Sequence, residues 1–429
     1  MAVLAFVIGV LIVVVGLAVS IALHEIGHLV PAKRFGVQTS RYMVGLGPVI
    51  WSKRIGETEY GVKLLPIGGY VSMAGMYAPV HAKARTRGML ATLVQDARDA
   101  NHETLVGVDD SRAFYRLAVW KRIVVMLGGP VMNLLLALIL FTILYTGIGM
   151  QQTTTTIDTV AECVVPAGSA ATECAPDAEA SPAHAAGLLP GDQLVSLDGQ
   201  EVATFAEASA IVQAHPDQTI PVVVLREGAR VELSMTPVLA ERQIAGPDGE
   251  VTTQSVGFAG MTAAVERVHQ PVWAGAQATA DNLGRVAGII VQLPVQLWNT
   301  AVDLFTGQER DPNGPLSVVG VGRLAGEVAA AEAPILDRVA AMVGLLGSVN
   351  IALFVFNLIP LLPLDGGHVA IALWDGIKRG WARLRGKSEP APADATRFVP
   401  VALVVVVLMI GMGALLFAAD IFNPITLAG

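Results

Sequence analysis

The chain has 429 residues, of which 53% are hydrophobic and only 15% charged, with a mean hydropathy of +0.58. That balance excludes a wholly water-exposed enzyme and gives no basis for a nucleic-acid partner. Two cysteines exclude both a disulfide scaffold and a cysteine-built zinc site. The net charge of -8 carries meaning only once it is divided among the loops.

From Ala2 to Leu23 the chain is uncharged and mostly apolar, which predicts a membrane-spanning helix. The run is longer than the apolar core of a cleavable signal peptide, so it is expected to stay in place. It leads directly into His24-Glu25-Ile26-Gly27-His28. Positions i and i+4 share a helix face, so His24 and His28 can aim two imidazoles at one metal ion. Glu25 projects beside them, where a carboxylate can take a proton from water on that metal. An unpaired charge at the end of such a span costs at least ~2.5 kcal/mol, and a bound divalent cation would account for the cluster. Read from this string alone, an interfacial cluster without metal is the alternative.

Apolar runs at roughly 3–28, 123–146, 340–363 and 399–419 predict four spans. Residues 31–122 hold 14 Lys+Arg against 7 Asp+Glu, residues 151–338 hold 8 against 23, and residues 374–397 hold 6 against 3. The two basic loops are therefore expected in the cytoplasm, and the acidic region and both termini outside.

The first loop, 31–122, reads from Arg41 to Gly75 as strand-like pieces with glycine turns, a hairpin or meander containing Gly68-Gly69-Tyr70. Residues 77–112 form a polar insertion with a short amphipathic helix. Trp120-Lys121-Arg122 anchors the second span, 123–148, where Asn133 is a polar group in lipid that requires a partner. It either holds helices together or faces the site.

In the outer region 151–260, Cys163 and Cys174 stand where oxidation is permitted, so a disulfide is expected. Ala186-Gly187-Leu188-Leu-Pro-Gly-Asp192 turns into a strand, followed by a helix-like stretch, a strand and a hairpin. This string resembles the PDZ domains of bacterial envelope proteases, here at about 160–240, with Gly187 and Leu188 in its binding loop. Such a domain takes an extended peptide by β-augmentation. Residues 261–339 are expected as amphipathic helices on the outer membrane face, because Pro271, Asp281, Arg285 and Pro294 interrupt the apolar run. The third span, 340–374, contains Asn357-Leu-Ile-Pro-Leu-Leu-Pro-Leu-Asp365-Gly366-Gly367. Asp365 is the only carboxylate between Asp337 and Asp375, and with His24 and His28 it completes a three-ligand zinc pattern. A basic cytoplasmic loop, 375–398, precedes the fourth span, 399–420.

The paired motifs His24-Glu25-x-x-His28 and Asn357-x-x-Pro-x-x-Pro-Leu-Asp365-Gly-Gly, with Gly129-Pro-x-x-Asn133 between them, resemble the site-2 protease family. The likeness is to the regulator-of-sigma-E protease type, with length for one PDZ domain as in actinobacterial members. It implies an α-helical polytopic membrane protein with four transmembrane helices, a membrane-associated β-loop and an extracytoplasmic α/β PDZ domain. It further implies one Zn2+ per chain on His24, His28 and Asp365, with Glu25 as general base and acid. Asn357, Asn133, Gly68, Gly69 and Tyr70 are implied as substrate-binding residues, and His368 as a residue near the site but off the metal. The implied setting is the bacterial plasma membrane, with the active site toward the cytoplasm. The implied substrate is a single-span membrane protein of the anti-sigma-factor type, already trimmed by a first cut, or a remnant signal peptide. A silent PDZ scaffold, a zinc transporter and a metallopeptidase of soluble substrates are disfavoured by an intact Glu25, by a single ligand cluster and by motif depth respectively.

Overall fold

In the computed structural model, which describes residues 2–79, 89–164, 174, 179–245, 251–312, 314–388 and 390–425, a helical unit is interrupted by an inserted sheet unit. The helical unit comprises residues 1–148 and 270–429, and the sheet unit residues 149–269.

The helical unit begins with α1 (Ala2–Arg34), which runs on through Pro31, past the expected end of the first span. A single long antiparallel hairpin follows, β1 (Thr39–Ile55) and β2 (Thr58–Met73), with repeated register shifts. Of the polar insertion, residues 80–88 lie outside the described residues, and the expected amphipathic helix is α2 (Met89–Glu103). Helix α3 (Val119–Thr142) continues as a wider-wound turn to Ile148.

The sheet unit contains β3 (Met150–Val160), the single turn α4 (Pro182–Ala185), β4 (Gln193–Leu197), β5 (Gln200–Glu201), α5 (Phe205–Ala214), β6 (Ile220–Arg226) and β7 (Ala229–Met235). A hairpin of β8 (Val238–Ala245) and β9 (Val251–Phe258) follows, then β10 (Met261–Val268). The main sheet runs β10-β3-β4-β6-β7. Leu194, Leu197, Val222, Val224 and Met235 are in its core. Ile220, Val222 and Val224 show the alternation of a half-buried strand, and a register shift in β4 turns Leu194 and Leu197 to the same side. A capping box, Thr204 with Glu207, starts α5. Cys163 and Cys174 are disulfide-bonded, with Cα atoms 5.9 Å apart.

Two expectations for residues 261–339 are corrected here. Residues 261–268 are not helical; they form β10 at the edge of the main sheet, antiparallel to β3. The expected helix pair is one helix, α6 (Trp273–Thr306), uninterrupted at Pro294. Proline is tolerated within apolar membrane helices; nearer its start α6 is closely packed, with Gly275 hard against the backbone of Thr142 and Asn282 Nδ2 donating to Ser348 Oγ at 3.2 Å. Helix α7 (Val318–Ala330) follows, capped by Ser317.

The third apolar run is also divided. Helix α8 (Ile335–Asn357) ends at Asn357, residues 358–364 form a tight turn, and α9 (Asp365–Leu384) starts anew at Asp365. The turn needs glycine at the start of α9. A Cβ on Gly366 would stand 2.3 Å from Leu358 O, and one on Gly367 2.6 Å from Leu362 N. Helix α10 (Val399–Phe422) completes the chain's helices. Among the described residues, four segments are long and apolar enough to cross a bilayer: Ala2–Arg34, Val119–Ile148, Ile335–Asn357 and Ala395–Phe422.

Candidate metal centre

Two close backbone approaches build the site. Helices α1 and α3 cross at Gly27 and Gly128, where a Cβ on either would lie about 2 Å from the other's carbonyl oxygen (2.2 and 1.9 Å). Small residues permit this approach, as at packed helix crossings in lipid. The crossing brings Gly129 beneath the two imidazoles, where a Cβ would meet His28 Nε2 at 2.2 Å and His24 Nε2 at 2.7 Å. The second approach is the turn at 358–364, which delivers Asp365 in the first turn of α9 to the same point.

There His24 Nε2 and His28 Nε2 stand 3.2 Å apart, with His24 Nε2 3.2 Å from Asp365 Oδ2 and His28 Nε2 3.4 Å from Asp365 Oδ1. His28 Nδ1 donates to Val125 O at 2.8 Å, which fixes the tautomer and leaves Nε2 as a lone pair. Asp365 Oδ2 has the proximity of a hydrogen bond to His24 but not its alignment. These residues fit a tetrahedral zinc: donors about 2.0–2.1 Å from one ion stand about 3.3–3.4 Å from each other. Acceptor atoms crowded to that spacing repel unless a cation lies among them. His24, His28 and Asp365 are the only such metal-competent group among the described residues.

A cavity of about 300 Å3 opens on these atoms and is lined by His24, Glu25, His28, Gly69, Tyr70, Asn357, Asp365 and His368, among others. Glu25 is 8% exposed. The backbone of Gly69 is pressed against it, so that a Cβ there would stand 2.9 Å from Glu25 Cγ. Asn357 Nδ2 donates to Leu353 O at 3.0 Å. His368 lines the cavity, stacks on Tyr77 with ring centroids 5.9 Å apart, and is not in the ligand group.

Two of the expected substrate-binding residues, Gly68 and Asn133, do not line the cavity. Gly68, at φ +76°, faces the Leu46 side chain and does not line the cavity. Asn133 is buried one helical turn beyond Gly129, outside the cavity lining, with neither amide atom hydrogen-bonded. In the sheet unit, the Gly187 carbonyl accepts from Arg226 Nη2 at 2.8 Å. Leu188 is 1% exposed in the core, so its side chain is not presented to a ligand. The contacts of Val125 and Tyr77 with the site histidines were absent from the sequence reading, and Gly69 was read there as a substrate-binding residue without its contact to Glu25. Only the glycine pair 128–129 carried a signal, as small residues in an apolar run.

Comparison with known proteins agrees with this geometry. Residues 12–390 match the profile of Peptidase family M50. The chain belongs to that family, the site-2 proteases. This family member is 34% identical over 436 residues to the zinc metalloprotease Rip1 of Mycobacterium tuberculosis, covering 98% of this chain and 99% of that one. It is 28% identical to the metalloprotease MmpA of Caulobacter vibrioides, covering 85% of each chain. The M50 chain described here is thus a zinc metalloendopeptidase and a multi-pass membrane protein.

Proposed function

We propose that this protein makes the second cut in regulated intramembrane proteolysis, hydrolysing a peptide bond within the transmembrane segment of a single-span protein. His24, His28 and Asp365 hold one zinc ion per chain, and the observation that carries this is the 3.2–3.4 Å spacing of their donor atoms. When bound, zinc supplies a Lewis acid that polarises the scissile carbonyl and makes water acidic enough to lose a proton near neutral pH.

Glu25 takes that proton as water adds to the carbonyl carbon, then delivers it to the departing amine nitrogen as the C–N bond breaks. Its place in the cavity beside both histidines supports the role. A transmembrane helix has its carbonyls tied up, so it must unwind before it can be cut. The β2 backbone at Gly69-Tyr70, which lines the cavity, offers the freed groups new partners. Asn357, which also lines the cavity, positions the substrate backbone. Asn133 supports the α1–α3 crossing.

The charge division among the loops puts the site toward the cytoplasm and residues 149–269 outside a bacterial plasma membrane. The inserted unit, a PDZ domain in this reading, binds extended peptide segments and keeps untrimmed substrates from being cut. The substrates are anti-sigma factors shortened by a first protease, and remnant signal peptides.

The test is cleavage of a single-span substrate of the anti-sigma-factor type in detergent, comparing wild type with Glu25→Gln at matched zinc content. Loss of cutting by about 10²-fold or more with zinc retained supports the assignment. Equal cutting, or no cutting and no zinc in either protein, would leave a membrane scaffold as the better reading.

A further inference from the structure

Helix α9 leaves the metal centre with two unlike faces. On the packed side Ala372, Asp375 and Ala382 are buried. Arg122 Nη1, in the first turn of α3, donates to Asp375 Oδ2 at 3.0 Å. A Cβ on Gly376 would lie 3.2 Å from Val119 Cγ1, the first residue of α3. The strand of chain leading into α10 returns to the same point, where Ala393 N donates to Asp375 Oδ1 at 2.8 Å. Two helices long enough to cross a bilayer therefore start beside the middle of α9, which sets that point at the border of the hydrocarbon layer.

The other side carries Trp374, Ile377, Trp381 and Leu384, which are 57%, 62%, 57% and 84% exposed. Their spacing of three or four residues makes one stripe. Next to it Arg383, Arg385 and Lys387 are exposed, and none pairs with a carboxylate among the described residues. The Arg385 guanidinium lies over the Trp381 ring, 4.4 Å from its centroid. An aromatic and aliphatic stripe bordered by these three cations, at headgroup depth, matches the surface of an anionic bilayer.

We propose that α9 is an in-plane lipid anchor. Its stripe enters the acyl boundary, and Arg383, Arg385 and Lys387 bind the phosphates of anionic phospholipids. Asp365 is the first residue of the same helix, so the bound lipid holds Asp365 in register with His24 and His28. That coupling rests on the zinc assignment above; the lipid binding does not.

The experiment uses the full chain in nanodiscs of phosphatidylcholine with and without phosphatidylglycerol. The native cysteines are disulfide-bonded, so Leu384→Cys accepts a single spin label. The label is expected to collide with oxygen more than with a water-soluble nickel chelate. Lipid co-isolated with the wild type is expected to be enriched in phosphatidylglycerol, by about fivefold per engaged cation at most. The triple variant Arg383→Gln, Arg385→Gln, Lys387→Gln should lose the enrichment and the faster cleavage that phosphatidylglycerol confers on the wild type. A label in bulk water, or unchanged enrichment in the triple variant, overturns the anchor. Enrichment lost with cleavage equal in both lipids overturns the coupling to Asp365. If no form cuts in either lipid while enrichment behaves as expected, the anchor stands and the protease assignment fails.

Discussion

The sheet unit and the helices around the metal centre are held together by opposite means. In residues 149–269, Leu197, Val222 and Val224 are fully buried on the inner face of the sheet, and removing that surface from water stabilises the unit. In the helical unit the decisive crossing is made by glycine backbones, Gly27 against Gly128. Buried polar pairs set the registers: Asn350 Nδ2 to Ser20 Oγ at 3.0 Å, Arg122 to Asp375 at 3.0 Å, and Arg310 to Asp420 at 2.6 Å. A bilayer is as apolar as leucine, so burying large side chains gains little there. Close backbone contact and polar pairing decide the packing instead. The difference teaches that equal substitutions should have unequal consequences in the two units.

Four measurements would break or sharpen that contrast. The largest effect is expected at the ligands: Asp365→Ala removes one of three donors, and both zinc content and cleavage should fall to background, as read by metal analysis and a gel assay. Next is Gly129→Ala, a single methyl placed 2.2 Å from His28 Nε2. Displacing an imidazole should weaken zinc binding by about 10- to 100-fold, whereas Gly411→Ala, with nothing within 4 Å, should leave it unchanged. If both glycine variants bind zinc like wild type, the close crossing does not shape the site.

In the sheet unit the same logic runs through volume. Leu197→Ala should destabilise residues 149–269 by about 2–5 kcal/mol, seen as faster amide exchange confined to that unit, with zinc content unaltered. The smallest effect is electrostatic. Arg226 donates to Asp192 at 2.7–2.8 Å and, with the Leu189 amide, holds that carboxyl below its usual range. A carboxylate with a depressed folded value contributes stability that is complete above its unfolded value, about 3.9, and lost as pH falls through the folded one. Protection of the sheet unit should therefore decline below about pH 4. Asp192→Asn should be less stable at neutral pH and show a shallower acid dependence. An identical acid profile would show that the pair contributes nothing.

Much of the site was readable beforehand because its chemistry is local. The spacing of His24 and His28 is one helical turn, and a helix was dictated by the apolar run before them. Asp365 was legible as a lone carboxylate in an apolar stretch, since lipid makes any such residue conspicuous. The glycine-turn motif at Gly187-Leu188 says where the backbone bends and not which way the side chain points; the burial of Leu188 is visible only in the fold. At Pro294 the local rule about helix breaking failed, since α6 runs through it, as proline is tolerated within apolar membrane helices.

By itself, the sequence determined the four spans, the helical His-Glu pattern, the alternating strands and the division of charge among loops. Each of these depends on neighbours within a few residues and on transfer of side chains between water and lipid. Only the tertiary structure decided that Val125 orients His28, that Gly69 presses on Glu25, that 261–268 joins a sheet, and that α9 is a helix separate from α8. The first three join residues tens of positions apart or more, whereas the turn between α8 and α9 is local, with Gly366 against Leu358 and Gly367 against Leu362. The α1–α3 crossing depends on bare backbones at Gly27 and Gly128, and the turn before α9 on those at Gly366 and Gly367, each within van der Waals reach of its neighbours.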